Sequence, residues 1–525
     1  MMESPTEIPL PAVPLLILAL GIVIETVRFV GRPGGPIQRG FDWFMRPWCA
    51  WAVFSLVFRW NWERGFNNRR TFPFFANLWE ANESLLAAVS RLSRMPSVWI
   101  WGAVVVVLLT VILIVIAGTL RNDDGNRRKI AIGLIAIYFL MIGMHLSAAC
   151  LPAGAGLKTE AKGSLLSCWQ AHSTMLYAVP YVVSPSAYLR DFISLQPHLR
   201  KTIHALSHPP GASLSMYWIG KLAGAERKNI RLDSTRIRYA VGLTAFSGLS
   251  LFTMYFLGRV LFRSHRTGAA TAGLWLCAPS VIAYNTFAQD GAYAVFFIAS
   301  LLQIWNVVTN ERTNVVYIVL LGINFFILTM LNYSWCIVTT IFVVFLLFVA
   351  VQRRWSIRDY LWRGVVPLGI MTVLAASVMA IYRLNYWTMY VNSREYVDLW
   401  YRFENTYQHV TAFIGGQLDI LLMLGSVTVS AFLVTILGLR RTGIKQTRVV
   451  FLLVIIGISA LPILFGPSCL RMETARCWNW VTAVPLAFAA HKLLSMDRPN
   501  IFYFSAAGSA ALTYMAMRLF MNFAP

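Results

Sequence analysis

The chain has 525 residues, 58% of them hydrophobic and only 13% charged, where a water-soluble domain carries about a quarter; its mean hydropathy is +0.61. The formal charge of +23 would suit nucleic acid in a soluble protein, but no basic patch interleaved with aromatics stands outside the apolar framework, so no nucleic-acid partner is expected. Apolar runs recur without the two-residue alternation of a membrane β-barrel. They are long enough to cross a bilayer as helices, so the expected fold is an all-α polytopic membrane protein.

In chain order, the opening stretch "MMESPTEIPLPAVPLLILALGIVIETVRFV" lacks a basic leader and reads as a retained anchor. Residues 1–125 form an N-terminal membrane extension with spans expected at 10–30 and 98–118 and a further candidate at 41–58. Residues 126–525 form the core. Spans are predicted at 129–150, 238–262, 268–286, 291–309, 314–332, 335–351, 362–382, 412–438, 449–467, 478–494 and 500–521. The basic segments at 121–129, 263–266, 352–363, 440–448 and 492–498 all fall on one side if 151–237 stays outside without crossing. The positive-inside rule makes that side cytoplasmic. A long outer loop at 151–237 and a second at 383–411 follow, and long loops tend to carry function.

The outer side holds the residues able to carry chemistry. Asp191 in "SAYLRDFISL" and Asp290 in "TFAQDGAYAVFF" are carboxylates beside apolar segments, with Glu160 a reserve. Such groups could act as a general base and as a polar anchor or metal ligand, or as solvated loop acids and helix caps. In "SHPPGASLSMYWIGKL", Pro209 favours extended backbone before it, and Pro210 suits the first turn of a helix. Gly211 would let a ligand approach the backbone. A helix starting there aims free N–H groups at an anion, with His208 beside it; Tyr217, Trp218 and Lys221 mark a helix at the membrane interface. Glu473 and Arg476 in "METARCWNW" share a helical face. They could form a surface ion pair, or Arg476 could grip a phosphate with its rigid fork.

His145, His172, His198, His204 and His208 lie near the outer side but match no metal-ligand spacing. Of the seven cysteines, Cys150 with Cys168 and Cys469 with Cys477 could be bridged where the outside is oxidising; buried thiols are the expectation.

These motifs, in this order, resemble the GT-C superfamily of membrane glycosyltransferases, and more narrowly the protein O-mannosyltransferase and lipid A aminoarabinose transferase group. "SHPPG" is similar to the family's His/Lys-Pro-Pro motif, and "CAPSVIAYNTFAQDGAYAVFF" to the segment carrying its second acidic residue. "METARCWNWVTAVP" is similar to a "GE-x-x-R-x-W…P" segment. The resemblance spans about residues 129–494 and implies a GT-C-type helix bundle with extracytoplasmic loops and juxtamembrane helices. It implies transfer of a sugar from a polyprenyl-phosphate donor to a lipid, glycan or protein hydroxyl on the outer face, with inversion. Asp191 would be the catalytic base and Asp290 the second acid. His208, Pro209 and Pro210 would face the donor phosphate, with Arg476 and Glu473 holding the leaving group. A divalent metal serves some members and not others. The family's Asp-Glu pair is absent here. The compartment would be the plasma membrane in a bacterium and the endoplasmic reticulum in a eukaryote. A transporter or flippase of a lipid-linked or anionic solute is the rival reading; such proteins hold their polar residues near mid-bilayer and show internal repeats.

Overall fold

The computed structural model describes residues 96–121, 127–151, 174–201, 203–225, 232–286, 288–311, 314–400, 424–437, 444–465 and 478–496, with scattered positions at 420 and between 503 and 514. The spans expected before residue 96 lie outside this set. The helices used below are α1 (Pro96–Arg121), α2 (Arg127–Ala149), α3 (Pro185–Leu195), α4 (Pro210–Leu222), α5 (Asp233–Gly248), α6 (Ser250–Phe262), α7 (His265–Cys277), α8 (Pro279–Tyr284), α9 (Gln289–Thr309), α10 (Val315–Leu331), α11 (Trp335–Arg353), α12 (Val366–Tyr382), α13 (Tyr386–Trp400), α14 (Ser426–Leu437), α15 (Gln446–Phe465) and α16 (Ala483–Leu494). All described regular structure is helical. Among the described residues, six helices are long and apolar enough to cross a membrane: Trp99–Leu120, Arg127–Ala149, Asp233–Phe262, Gln289–Thr309, Trp335–Arg353 and Ile357–Tyr382. Helices suit a bilayer because each satisfies its own backbone N–H and C=O groups.

The predicted spans at 98–118, 129–150, 238–262, 291–309, 335–351 and 362–382 coincide with these helices; those at 412–438 and 500–521 lie partly outside the described residues. The span predicted at 238–262 is divided into α5 and α6 at Leu249, which keeps helical backbone (φ −59°, ψ −21°). The span predicted at 268–286 breaks at Ala278, whose extended backbone (φ −63°, ψ 131°) precedes Pro279. Across 151–237 the described residues form only short helices, none long enough to span.

Burial sorts the spans into layers. In α9, 72% of the apolar window is buried inside the bundle, against 11% in the 357–382 span. The former is a central post, packed by α5, α6, α10 and α11. The latter presents Val373 and Ile381 outward, as a lipid-facing helix should. Against α9, the Asn324 side chain donates to the Phe296 carbonyl (2.8 Å) and to Ser300 Oγ (2.7 Å), satisfying polar groups that face no water.

The bundle has two unlike ends. At one, α9 finishes under Arg363, whose guanidinium donates to the carbonyls of Val307 (2.9 Å), Asn310 (2.6 Å) and Glu311 (2.9 Å). Arg353 donates to the Thr309 carbonyl (2.8 Å) at that same end. At the other end α9 begins with Gln289 and Asp290, close to His208 before the head of α4. The basic segments 263–266, 352–363 and 444–448 therefore gather at one end, as the charge pattern anticipates.

Close approach of α6 and α7 depends on two glycines. A Cβ at Gly258 would lie 2.8 Å from Thr271 Cβ and 3.2 Å from Gly268 Cα, and one at Gly268 would lie 2.6 Å from the Tyr255 carbonyl oxygen. Small residues at such crossings let backbones meet in a membrane. Gly258→Val is expected to cost about 1–3 kcal/mol through overpacking, read as a lowered denaturation midpoint in detergent. An unchanged midpoint would show that the helices do not meet there.

Candidate functional site

The Pro-Pro-Gly turn takes the shape its residues dictate. Pro209 is extended (φ −61°, ψ 161°) and caps α4, with Pro210 in its first turn, where a missing N–H costs nothing. Gly211 serves a different purpose from the one its sequence suggests. A Cβ there would collide with the Met330 carbonyl at the end of α10. The glycine thus admits a neighbouring helix end rather than a ligand, and the head of α4 is partly covered by the chain itself. Along α4, Ala212, Ser213, Met216 and Ile219 are buried while Trp218 and Lys221 are exposed. The Lys221 ammonium lies 4.9 Å from the Trp218 ring, as in a helix lying along an interface.

His208, half-buried, precedes this helix. Its Nδ1 lies 3.0 Å from Ser207 Oγ, and its ring centroid is 5.9 Å from that of Tyr293 in the first turns of α9. Asp290, one turn before Tyr293, is only 6% exposed. A helix N-terminus stabilises a carboxylate there through its unpaired N–H groups and positive dipole end. The structure thus brings His208 and the helix bearing Asp290 together, although their residues are far apart in sequence.

Asp191 occupies a different layer. It lies on the exposed face of α3, while Tyr188, Leu189 and Phe192 face inward. The helix is capped by Ser184, whose Oγ accepts from Ala187 N (3.2 Å), and it packs against α4. Burial pushes the Tyr188 phenol well above its ordinary range, offset in part by Ser213 of α4 beside it. Asp191 makes no side-chain ion pair or hydrogen bond to Asp290 or His208 among the described residues.

The second loop clamps this layer. Ser393 Oγ of α13 donates to the Leu206 carbonyl (2.6 Å) just before His208. Asn392 donates to Gln196 Oε1 (2.7 Å), and Gln196 Nε2 to the Met389 carbonyl (3.3 Å). Trp335 Nε1 donates to Tyr386 Oη (2.8 Å). Desolvation drives the Tyr333 and Tyr386 phenols far up from their ordinary values, so both remain protonated donors. The loops predicted at 151–237 and 383–411 are therefore bonded to each other.

Glu473, Arg476 and Glu160 lie outside the described residues. Among the described residues, Trp480 stacks on Phe297 of α9 at 4.8 Å, with Trp478 6.1 Å beyond. Phe297 is two helical turns from Asp290. Sequence reasoning missed two buried amides here. Asn285, after α8, is 0% exposed, and Asn479 is 1% exposed; neither amide has a hydrogen-bond partner among the described residues. A Cβ at Gly291 would lie 2.6 Å from Asn285 Oδ1 and 3.0 Å from Ser247 Oγ, so both groups converge on the first turn of α9. Buried amides without partners are costly and signal polar surface kept for an occupant. "YNTFAQD" and "CWNW" contain them, but burial cannot be read from letters. His145, by contrast, is a core histidine whose Nε2 sits 3.1 Å from the Leu276 carbonyl. Among the described residues no group of three or more His, Cys, Asp or Glu is placed to hold a metal.

No protein-family model matches the chain, and no curated protein matches it significantly in sequence.

Ser393→Ala is expected to lower stability by about 1 kcal/mol, the worth of one buried hydrogen bond, measured as the unfolding midpoint in detergent. Ser393→Thr, which keeps the hydroxyl, should recover most of it. Equal midpoints for all three proteins would mean that the clamp on Leu206 contributes nothing.

Proposed function

We propose that this chain is an integral membrane glycosyltransferase of GT-C type, passing a sugar from a polyprenyl-phosphate donor to an acceptor hydroxyl at the end of the bundle that carries α3, α4 and α13. The observation that carries the reading is the juxtaposition of His208, at the head of the interfacial helix α4, with the buried, Asp290-bearing start of α9. A lipid-phosphate donor presents its head group at the membrane surface, where α4 lies. His208 offers a ring nitrogen to the phosphate, and Asp290 a fixed carboxylate one helix away.

In the reaction the bond between the anomeric carbon and the donor phosphate oxygen breaks as the acceptor oxygen attacks from the opposite face. Asp191, exposed on α3, takes the acceptor proton, and polyprenyl phosphate leaves. Charge developing on that phosphate calls for preorganised donors; His208 supplies one, and Arg476 is proposed as a second. A single base with no second carboxylate nucleophile favours inversion. The extracytoplasmic placement of this end rests on the gathering of basic segments at the opposite one.

Purified protein incubated with a panel of polyprenyl-phosphate sugars and candidate acceptors should release polyprenyl phosphate, followed by mass spectrometry. Asp191→Asn and Asp290→Asn should each reduce release by about 100-fold or more, the usual weight of a positioned acid or base. Near-normal release from Asp191→Asn would remove it from the base role. No release from any donor with folded protein would overturn the transferase reading.

A further inference from the structure

A polar feature outside this site lies at the opposite end of α9. A cavity of about 710 Å³ opens between α6, α9, α10, α11 and the start of α15. Arg259, Arg263, Arg353, Lys445 and Arg448 line it together with His265, and among the described residues no acidic side chain does. Apolar walls come from Phe256, Leu302 and Trp305, with Phe256 43% exposed on the outside of the bundle. From Asp290 to Asn306 the helix rises roughly 25 Å, so this cavity is separate from the candidate active site.

Five cations facing one space repel one another unless an anion joins them. The Arg263 and Arg448 charges are close enough to oppose each other, and none of the five has a carboxylate partner among the described residues. Arg363 at the same end shows what a structural arginine looks like: buried, with its Nη1 and Nη2 donating to three carbonyls. Among the lining cations only Arg353 has a comparable bond, to Thr309, while Arg448 lies over the Phe262 ring at 5.2 Å. Arg263 further holds a left-handed backbone (φ 55°) at the end of α6, a position where glycine is the usual residue. Arg354 and Arg383 take the same left-handed backbone at the ends of α11 and α12.

We propose that this cavity is a binding site for a phosphate group, and that the phosphate belongs to an anionic phospholipid of the leaflet facing the basic end. Rigid guanidinium forks match phosphate oxygens, and basic pockets between spanning helices suit lipid head groups. The exposed Phe256 and the apolar wall give the acyl chains a path out to the bilayer, which a free phosphate would not need.

The test uses the full chain, delipidated in detergent and titrated with phosphatidylglycerol, phosphatidylcholine or inorganic phosphate, with binding read by native mass spectrometry and by thermal shift. Phosphatidylglycerol should bind at least 10-fold more tightly than phosphatidylcholine, and more weakly as salt is raised. Arg259→Gln/Arg448→Gln should lose at least 10-fold of that affinity, whereas Arg128→Gln, exposed on α2, should lose none. Arg263→Gly guards against misfolding: it should hold or raise the melting temperature while weakening phosphatidylglycerol. Asp290→Asn should bind the lipid as the wild type does, so the result stands apart from transferase activity. Inorganic phosphate binding as tightly as the lipid would overturn the lipid source and keep the phosphate site. Equal binding of both lipids with no phosphate effect, or unchanged binding in both cavity variants, would overturn the site.

Discussion

The arrangement depends on one buried helix. Because α9 is enclosed on most of its circumference, its two ends are the only places where it can present polar groups at low cost, and both ends are used. The N-terminal end sets Asp290 and Tyr293 against His208, where the helix dipole favours negative charge. The C-terminal end is tied down by Arg363 and opens beside the basic cavity, where a helix terminus favours positive charge. The chemistry of each end thus agrees with the sign of the helix that joins them.

Apolar surface makes the rest of the bundle tolerant and the ends exacting. Lipid-facing spans such as α12 need only length and hydropathy. The layer of α3, α4 and α13 must instead be positioned by specific bonds, since short helices bury too little to hold themselves. The Ser393–Leu206 and Gln196–Asn392 bonds supply that positioning, and Gly211 lets α4 sit directly on the end of α10.

Much of the fold was legible in the sequence because run length and flanking charge report directly on spanning. The helix start at Pro210 was legible for a local steric reason. The break at Ala278 carries a sequence signal in Pro279, but the apolar run continues past it, so run length alone does not place it. Gly211 was noticed for the wrong cause: a glycine advertises close approach without saying what approaches. Asn285 and Asn479 were invisible because an amide in an apolar run looks the same whether bonded or orphaned. The basic cavity could not be read at all, since its cations come from residues 259–265, 353 and 445–448, which the sequence records as separate loop charges.

The central claim is that the two ends face opposite sides of the membrane, with the His208 end away from the cytoplasm. Trp387 on α13 and Ile357 before α12 are both exposed, at 71% and 80%, and lie at opposite ends. With the native cysteines blocked, cysteine placed at each position would be probed in intact cells with a membrane-impermeant maleimide. The account predicts that Trp387→Cys labels from outside and Ile357→Cys only after permeabilisation. The reverse pattern, or labelling of both from one side, would contradict it.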